Sequence, residues 1–346
     1  MEILEKSVMV VDYDQDEIPK QKEIPQSFDI YISNMTKQIA EKTDKRHYKS
    51  RSKDTEVVAS ILEIRKKLES KDLRNIFSEK TNTIATKLKK VERKVQKKIS
   101  KMKQKVRVGT FIQVLYKENS SIYYFLGKTQ HKGFVDESDY SSKKGFPDDN
   151  FDIWRSCIFD ITDADKENIE AEVFTDTEAK YWAKDFLELD EFNSDEKNTE
   201  VSFKSIESYM ATHMKKKHPH DFLVLKNNLI HYYRSNQQIS YNEMIDHVFM
   251  AYSPTTIDSS TYKNHVNEIG HLPQKKGFDT QFASVPKKIN SRIRAVYDIR
   301  QGVQLKISDS IENIQKDIVA YEDDSGKRYI ILKTDNLETF ETFRSK

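Results

Sequence analysis

The stretch from Asn82 to Lys105 limits the fold more than any other part of the chain. Ile84, Leu88, Val91, Val95, Ile99 and Met102 recur at intervals of four, three, four, four and three residues. That spacing lays one narrow apolar stripe along an α-helix of about six turns. The positions between are almost all basic. Lys87, Lys89, Lys90, Arg93, Lys94, Lys97, Lys98, Lys101, Lys103, Lys105 and Arg107 stand against the single acid Glu92.

Such a helix buries its stripe and turns a cationic surface outward. Like charges four apart (Lys90/Lys94, Arg93/Lys97, Lys94/Lys98, Lys97/Lys101) each cost a helix roughly 0.2–0.5 kcal/mol. A phosphate backbone would offset that cost, because each neutralised phosphate releases counterions. Two other readings compete: an ordinary solvated face of a core helix, and a basic helix lying on anionic lipid. The stripe has no Trp or Phe, which disfavours lipid. Few aromatics interleave with the lysines, so duplex phosphates fit better than bases stacked from a single strand.

A second basic cluster holds Lys275, Lys276, Lys287, Lys288, Arg292, Arg294 and Arg300. Four of these (Lys287, Lys288, Arg292 and Arg294) are candidate DNA-binding residues on an expected helix Val285–Tyr297. That helix would bury Ile289, Ile293 and Val296.

The net charge of +2 conceals opposed patches. Residues 1–107 carry 27 Lys and Arg against 17 Asp and Glu, whereas residues 136–200 carry 7 against 21. Opposed patches suit a polyanion on one surface and repulsion, or a basic partner, on another. With 346 residues and 36% hydrophobic content the chain can build real cores. No run of about 18 apolar residues exists, so no membrane-spanning helix is expected. Cys157 is the only cysteine, which fits a reducing cytosol and rules out an internal disulfide. It lies in an apolar, strand-like stretch and reads as core.

Periodicity predicts strands at 2–12, 106–116, 122–128, 151–161 and 169–174, with a hairpin turn over Lys117–Ser121. It predicts helices at 28–42, 55–68 (capped by Thr55), 72–77, 82–105 and 178–189, and loops at 12–25 and 43–53. A polar, acidic break at 192–200 marks a boundary. Beyond it helices are expected at 201–214, 220–234, 240–252, 261–269 and 285–297, the last ended by Gly302. Strands at 303–307, 317–322 and 327–333 close the chain, the last two turning at Asp324-Ser325-Gly326. The expectation is an α+β protein: an N-terminal α+β domain, 1–192, with an antiparallel sheet and helices, then a mostly helical C-terminal domain, 193–346, closing with a β-hairpin.

Other constellations are weaker. Asp148, Asp149 and Asp152, or Asp163 and Asp165, offer oxygen ligands but lack the spacing of a calcium loop. His213, His218 and His220 are the one local histidine cluster, yet Lys215–Lys217 would repel a cation. Gly127-Lys128-Thr129 resembles the end of a phosphate-binding loop without its upstream glycine. No catalytic residue, metal site or cofactor is expected.

The order of elements resembles the NdpA/YejK-type nucleoid-associated protein family, over most of the chain from about residue 80. The resemblance is carried by Phe111–Tyr116 and Tyr123–Leu126, by Phe151–Ile153 with Ile158–Ile161, and by Tyr181–Leu187. Asn198–Tyr209, Ser291–Tyr297, Gln304–Ser308 and Arg328–Lys333 extend it. The lysine-dense helix and residues 133–150 depart from the family pattern. The resemblance implies cytoplasmic, nucleoid-localised binding of double-stranded DNA without catalysis, and contact with a type II topoisomerase subunit. Two alternatives stay open: a DNA-binding phage-defence component, as nuclease or effector regulator, and an adaptor for a topoisomerase subunit. Apolar stripes and the closing hairpin admit a homodimer whose interface the sequence does not place.

Overall fold

A computed structural model of the protein describes residues 1–16, 24–42, 44–102, 105–129, 132–135, 138–146, 153–175 and 180–344. The chain is α+β and divides into two compact units, Met1–Asn193 and Ser194–Lys346.

The first unit runs β1 (Glu2–Val11), α1 (Phe28–Lys42), β2 (Arg46–Ser50), α2 (Glu56–Lys66), α3 (Leu73–Ile99), β3 (Gly109–Glu118) and β4 (Ser121–Thr129). Then come β5 (Lys132–Val135), β6 (Ser142–Gly145), β7 (Ile153–Asp160), β8 (Glu170–Thr175), a π-helical turn over Trp182–Phe186, and β9 (Leu189–Glu191). Seven of the strands form one antiparallel sheet in the order β1-β3-β4-β7-β8-β2-β9. β5 and β6 pair separately as a hairpin.

The central strand shows why the sequence reads as continuously apolar there. Phe111 and Leu115 face a core shared with α2, α3 and the Trp182 turn. Ile112, Val114 and Tyr116 point to the other side, where Ile32, Met35 and Ile39 of α1 cover them. A strand covered on both faces needs no polar alternation. Gln113 is buried on the first face, where its amide donates to the Thr81 carbonyl and its oxygen accepts from the Tyr124 hydroxyl. The β3–β4 hairpin turns at Asn119, in the left-handed region at φ 55°.

Three expectations change here. Residues 43–53 are not all loop, because β2 pairs with β8 and β9 through Arg46–Ser50. Its inward positions are Arg46, Tyr48 and Ser50, so burial alternates while hydrophobicity does not. The helices expected at 72–77 and 82–105 are one element, α3, followed by a tight turn over Ser100–Met102. Thr55 sits at the N-cap of α2, but its hydroxyl donates back to the Ser52 carbonyl rather than capping the helix.

The second unit runs α4 (Asp195–His213), α5 (Pro219–Ser235), β10 (Gln238–Ser240), α6 (Tyr241–Ile245), α7 (Ser259–Gly270), α8 (Leu272–Lys276), β11 (Gln281–Ala283) and α9 (Asn290–Ile293). It ends with β12 (Ala295–Arg300), β13 (Val303–Ile307), α10 (Ile314–Asp317), β14 (Ile318–Glu322), β15 (Arg328–Leu332) and α11 (Leu337–Phe343). Ser194 caps α4 by accepting from the Lys197 amide, and Asp258 caps α7 in the same way. Phe203, Leu225, Tyr233, Phe249 and Phe282 centre its core.

The helix expected over 285–297 is a further correction. Pro286–Ile289 and α9 make two short turns, and Arg294 is extended at φ −65° and ψ 125°. The chain then enters β12. Ile289 and Ile293 are buried as expected, whereas Val296 is exposed. Gly302, at φ 78°, ends no helix but turns the β12–β13 hairpin, so two hairpins close the chain rather than one.

Candidate nucleic-acid interface

α3 lies against the sheet through Phe77, Thr81, Ile84, Ala85, Leu88, Val91 and Glu92, all buried. The apolar stripe is buried where it begins and fades toward its end: Val95 and Ile99 are half-buried, and Met102 is 68% exposed.

Three of the expected phosphate-contacting residues are held by the protein itself. Lys87 is buried and pairs with Glu188. Lys89 is buried and donates to the Asp16 carbonyl. Arg93 donates from Nε to the Tyr13 carbonyl at 2.7 Å and from Nη2 to the Gln15 carbonyl at 2.9 Å. Lys89 and Arg93 therefore satisfy backbone oxygens of the segment after β1, which no strand partner would otherwise reach. They are clamps on a loop.

The other lysines turn outward. Lys90, Lys94, Lys97, Lys98, Lys101 and Lys105 are exposed, and among the described residues none has a carboxylate partner. Lys90, Lys94, Lys97 and Lys101 follow 3–4 spacing and so share one side of the helix, with Lys98 on its flank. They extend over about 16 Å at 1.5 Å per residue. Lys97 and Lys98 occupy the last turn of α3. There the negative end of the helix dipole partly offsets the repulsion between them. Arg107 lies over the Trp154 ring at 5.1 Å. Lys103 lies outside the described residues.

Directly beneath this surface is a feature that counting charges does not reveal. Glu92, the one acid of the basic run, points inward and pairs with Lys128 of β4 at 2.5 Å. The Tyr181 hydroxyl donates to the same carboxylate oxygen at 3.3 Å. Arg155 of β7, opposite Lys128 in the sheet, stacks over the Tyr181 ring at 5.0 Å. Burial raises the Glu92 carboxyl and lowers the Lys128 ammonium, each against the pull of the other's charge. Lys128 thus spends its charge in the interior, which removes it from any phosphate loop at Gly127-Lys128-Thr129.

The second cluster in the sequence is dispersed in the structure. Lys287 and Lys288 are exposed on the turn before α9, and Arg294 is exposed at the start of β12. Arg292 is committed to Glu207 at 2.5 Å, which also holds Lys226 at 2.7 Å. Lys275 pairs with Glu268 at 2.7 Å. This cluster belongs to the second unit and the lysines of α3 to the first.

His213 meets His265 of α7 rather than His220, with ring centroids 5.7 Å apart, and His265 Nδ1 contacts the Tyr209 hydroxyl at 2.9 Å. His218 contacts the Thr256 hydroxyl at 3.0 Å. Asp163 accepts from the Asp165 amide in a turn, and Asp148, Asp149 and Asp152 lie outside the described residues. Among the described residues no three His, Cys, Asp or Glu side chains are grouped to hold a metal ion, and no helix is long and apolar enough to cross a membrane. The sequence matches no known family profile and no curated protein.

Proposed function

We propose that the chain binds double-stranded DNA without catalysis and largely without sequence preference, in the manner of a nucleoid-associated protein. The observation that carries this reading is the set of exposed lysines on one side of α3 that have no carboxylate partner among the described residues. A structural helix on an ordinary surface intersperses both signs, and its exposed lysines find acids three or four residues away. Here the only acid of the run is buried and already paired. The surface is long enough to follow duplex phosphates, and it offers point charges rather than aromatic platforms or planar forks for base edges.

Six phosphate contacts give a salt slope of roughly −5 in a plot of log K against log salt. Affinity then falls by about a thousandfold between 50 and 200 mM salt. A mobility-shift titration with random and defined duplexes, with and without magnesium, tests the reading. Equal binding to all duplexes, steep weakening with salt and intact DNA support it. Absence of binding at low salt refutes it, and magnesium-dependent cleavage refutes the non-catalytic part.

A further inference from the structure

The C-terminal arm carries most of the second unit's exposed large apolar side chains. Among the described residues β14 and β15 pair only with each other. Val319, Tyr321, Tyr329 and Ile331 lie on one side of this hairpin, and Ile330 and Leu332 on the other. An isolated two-stranded hairpin is marginal in water even with one apolar face. α11 follows with Leu337, Phe340 and Phe343 exposed at 72%, 51% and 84%. Together, nine large apolar side chains between Val319 and Phe343 stand in solvent. At roughly 100 Å² each, a fraction of the 150–250 Å² that an aromatic residue buries, they expose about 1,000 Å² per copy. The four on one face of the hairpin account for about 400 Å² of this, the scale of the largest patch on a typical monomer, roughly 300–600 Å².

The same unit presents a matching receptor. A cavity of 330 Å³ opens between α4, α5 and the β12–β13 hairpin, with Phe222, Ile230, Ile293 and Ile307 among its apolar walls. Its acids are neutralised: Glu207 by Lys226 and Arg292, and Asp309 by Arg234. Lys215 and Arg294 also line it and have no carboxylate partner among the described residues. α11 carries the complementary pattern, its Leu337, Phe340 and Phe343 accompanied by Glu338, while Glu341 pairs with Arg344 at 3.1 Å.

We propose that the C-terminal arm, Ile318–Phe343, clasps a second copy of this chain and seats α11 in the partner's cavity. A reciprocal exchange closes as a two-fold dimer, because each copy supplies one arm and one receptor. With one hairpin face and α11 covered on each, the two arms together hide about 1,400 Å², within the roughly 1,200–2,000 Å² of a specific protein–protein interface. Charge complementarity between Glu338 and the Lys215–Arg294 rim orients the helix. The proposal is independent of DNA binding, since none of these residues lies on α3.

Light scattering on a sizing column measures the mass of the full chain and of a Phe340→Asp, Phe343→Asp variant. Both positions are solvent-exposed, so the variant keeps its fold, verified by an unchanged circular dichroism spectrum. The expected result is a dimer at micromolar concentration that becomes a monomer in the variant. A monomeric full chain, or a dimer that survives both substitutions, overturns the proposal. Mixing chains carrying Phe343→Cys with chains carrying Ala211→Cys then locates the helix, because the native Cys157 is buried and does not compete. A disulfide between the two chains supports exchange. A bond that forms only when both substitutions share one chain overturns it.

Discussion

Glu92 and Lys128 meet at 2.5 Å in the interior of the first unit, with neither side chain reachable by solvent. The pair joins α3 to the second strand of the sheet's central hairpin, directly beneath the exposed lysines. Taking two charges out of water costs several kcal/mol per ion, and mutual attraction returns only part of it: burial outweighs the partner's charge at both groups, and among the described residues Glu92 Oε2 has no hydrogen-bond partner. The pair is therefore a poor source of stability as a whole and a sensitive point when halved.

Lys128→Met leaves the Glu92 carboxylate buried without its ammonium, and should destabilise the protein by about 3–5 kcal/mol. Lys128→Met combined with Glu92→Leu should recover most of that loss. Urea unfolding of the two single variants and the double variant gives the coupling directly. Additive losses would show that the two residues do not act as a pair.

Lys89 and Arg93 hold the carbonyls of Tyr13, Gln15 and Asp16. Substituting both by Ala should release the segment after β1 and make it a preferred site of limited proteolysis. Its effect on DNA affinity should be smaller than that of four outward lysines. Cleavage at an unchanged rate would contradict the clamp.

Asp221 is fully buried at the start of α5 and accepts from the amides of Thr255, Thr256 and Ile257 and from the Tyr252 hydroxyl. Burial alone would raise its carboxyl, but these donors outweigh it and hold the group well below the usual carboxylate range. Glu172 behaves alike: burial is outweighed by His47 and Lys45, which bring it down to about 2. A carboxyl depressed in the folded state contributes stability that is complete above its unfolded value, near pH 4–4.5. That contribution is lost as pH falls toward the folded value. Stability should therefore hold near neutrality and decline below about pH 4. Asp221→Asn should flatten that decline while lowering stability at neutral pH, because its amide nitrogen cannot accept these bonds. Circular dichroism along an acid titration measures both, and a decline as steep as that of the native protein would contradict the assignment.

Cys157 is fully buried in β7, and burial raises its thiol well above the ordinary range. It should not react with a thiol reagent in the native protein and should react at once on denaturation. Rapid native labelling would place it at an accessible site instead.

Much of the fold is legible in the sequence because most elements announce themselves by period. α1 begins and ends at the residues its Ile32, Met35 and Ile39 spacing predicts, and β3 and β4 follow from their apolar runs. β2 is not legible, since its inward residues include Arg46 and Ser50, whose burial depends on partners distant in sequence. The helix expected over 285–297 misleads for the opposite reason. Ile289, Ile293 and Val296 keep helical spacing, but the chain extends at Arg294 and Val296 leaves the core.

The candidate site is legible as a count of lysines but not as a surface. Lys87 and Lys89 flank Leu88, at the edge of the buried stripe, which is the position from which a long side chain reaches inward. Glu92 carried the one available signal. A lone acid in a basic run, one residue past Val91, lies on the buried side and needs an internal cation. Its partner Lys128 is 36 residues away and only the sheet brings them together.

The salt dependence of duplex binding by Lys94→Ala, Lys97→Ala, Lys98→Ala, Lys101→Ala, compared with the native chain, tests the proposed interface most directly. Each phosphate contact removed should reduce the slope by about one. The four substitutions should thus flatten it by roughly 3–4 and weaken binding equally on every sequence at low salt. An unchanged slope and affinity would place the DNA on another surface, and would leave these lysines as the solvated face of a structural helix.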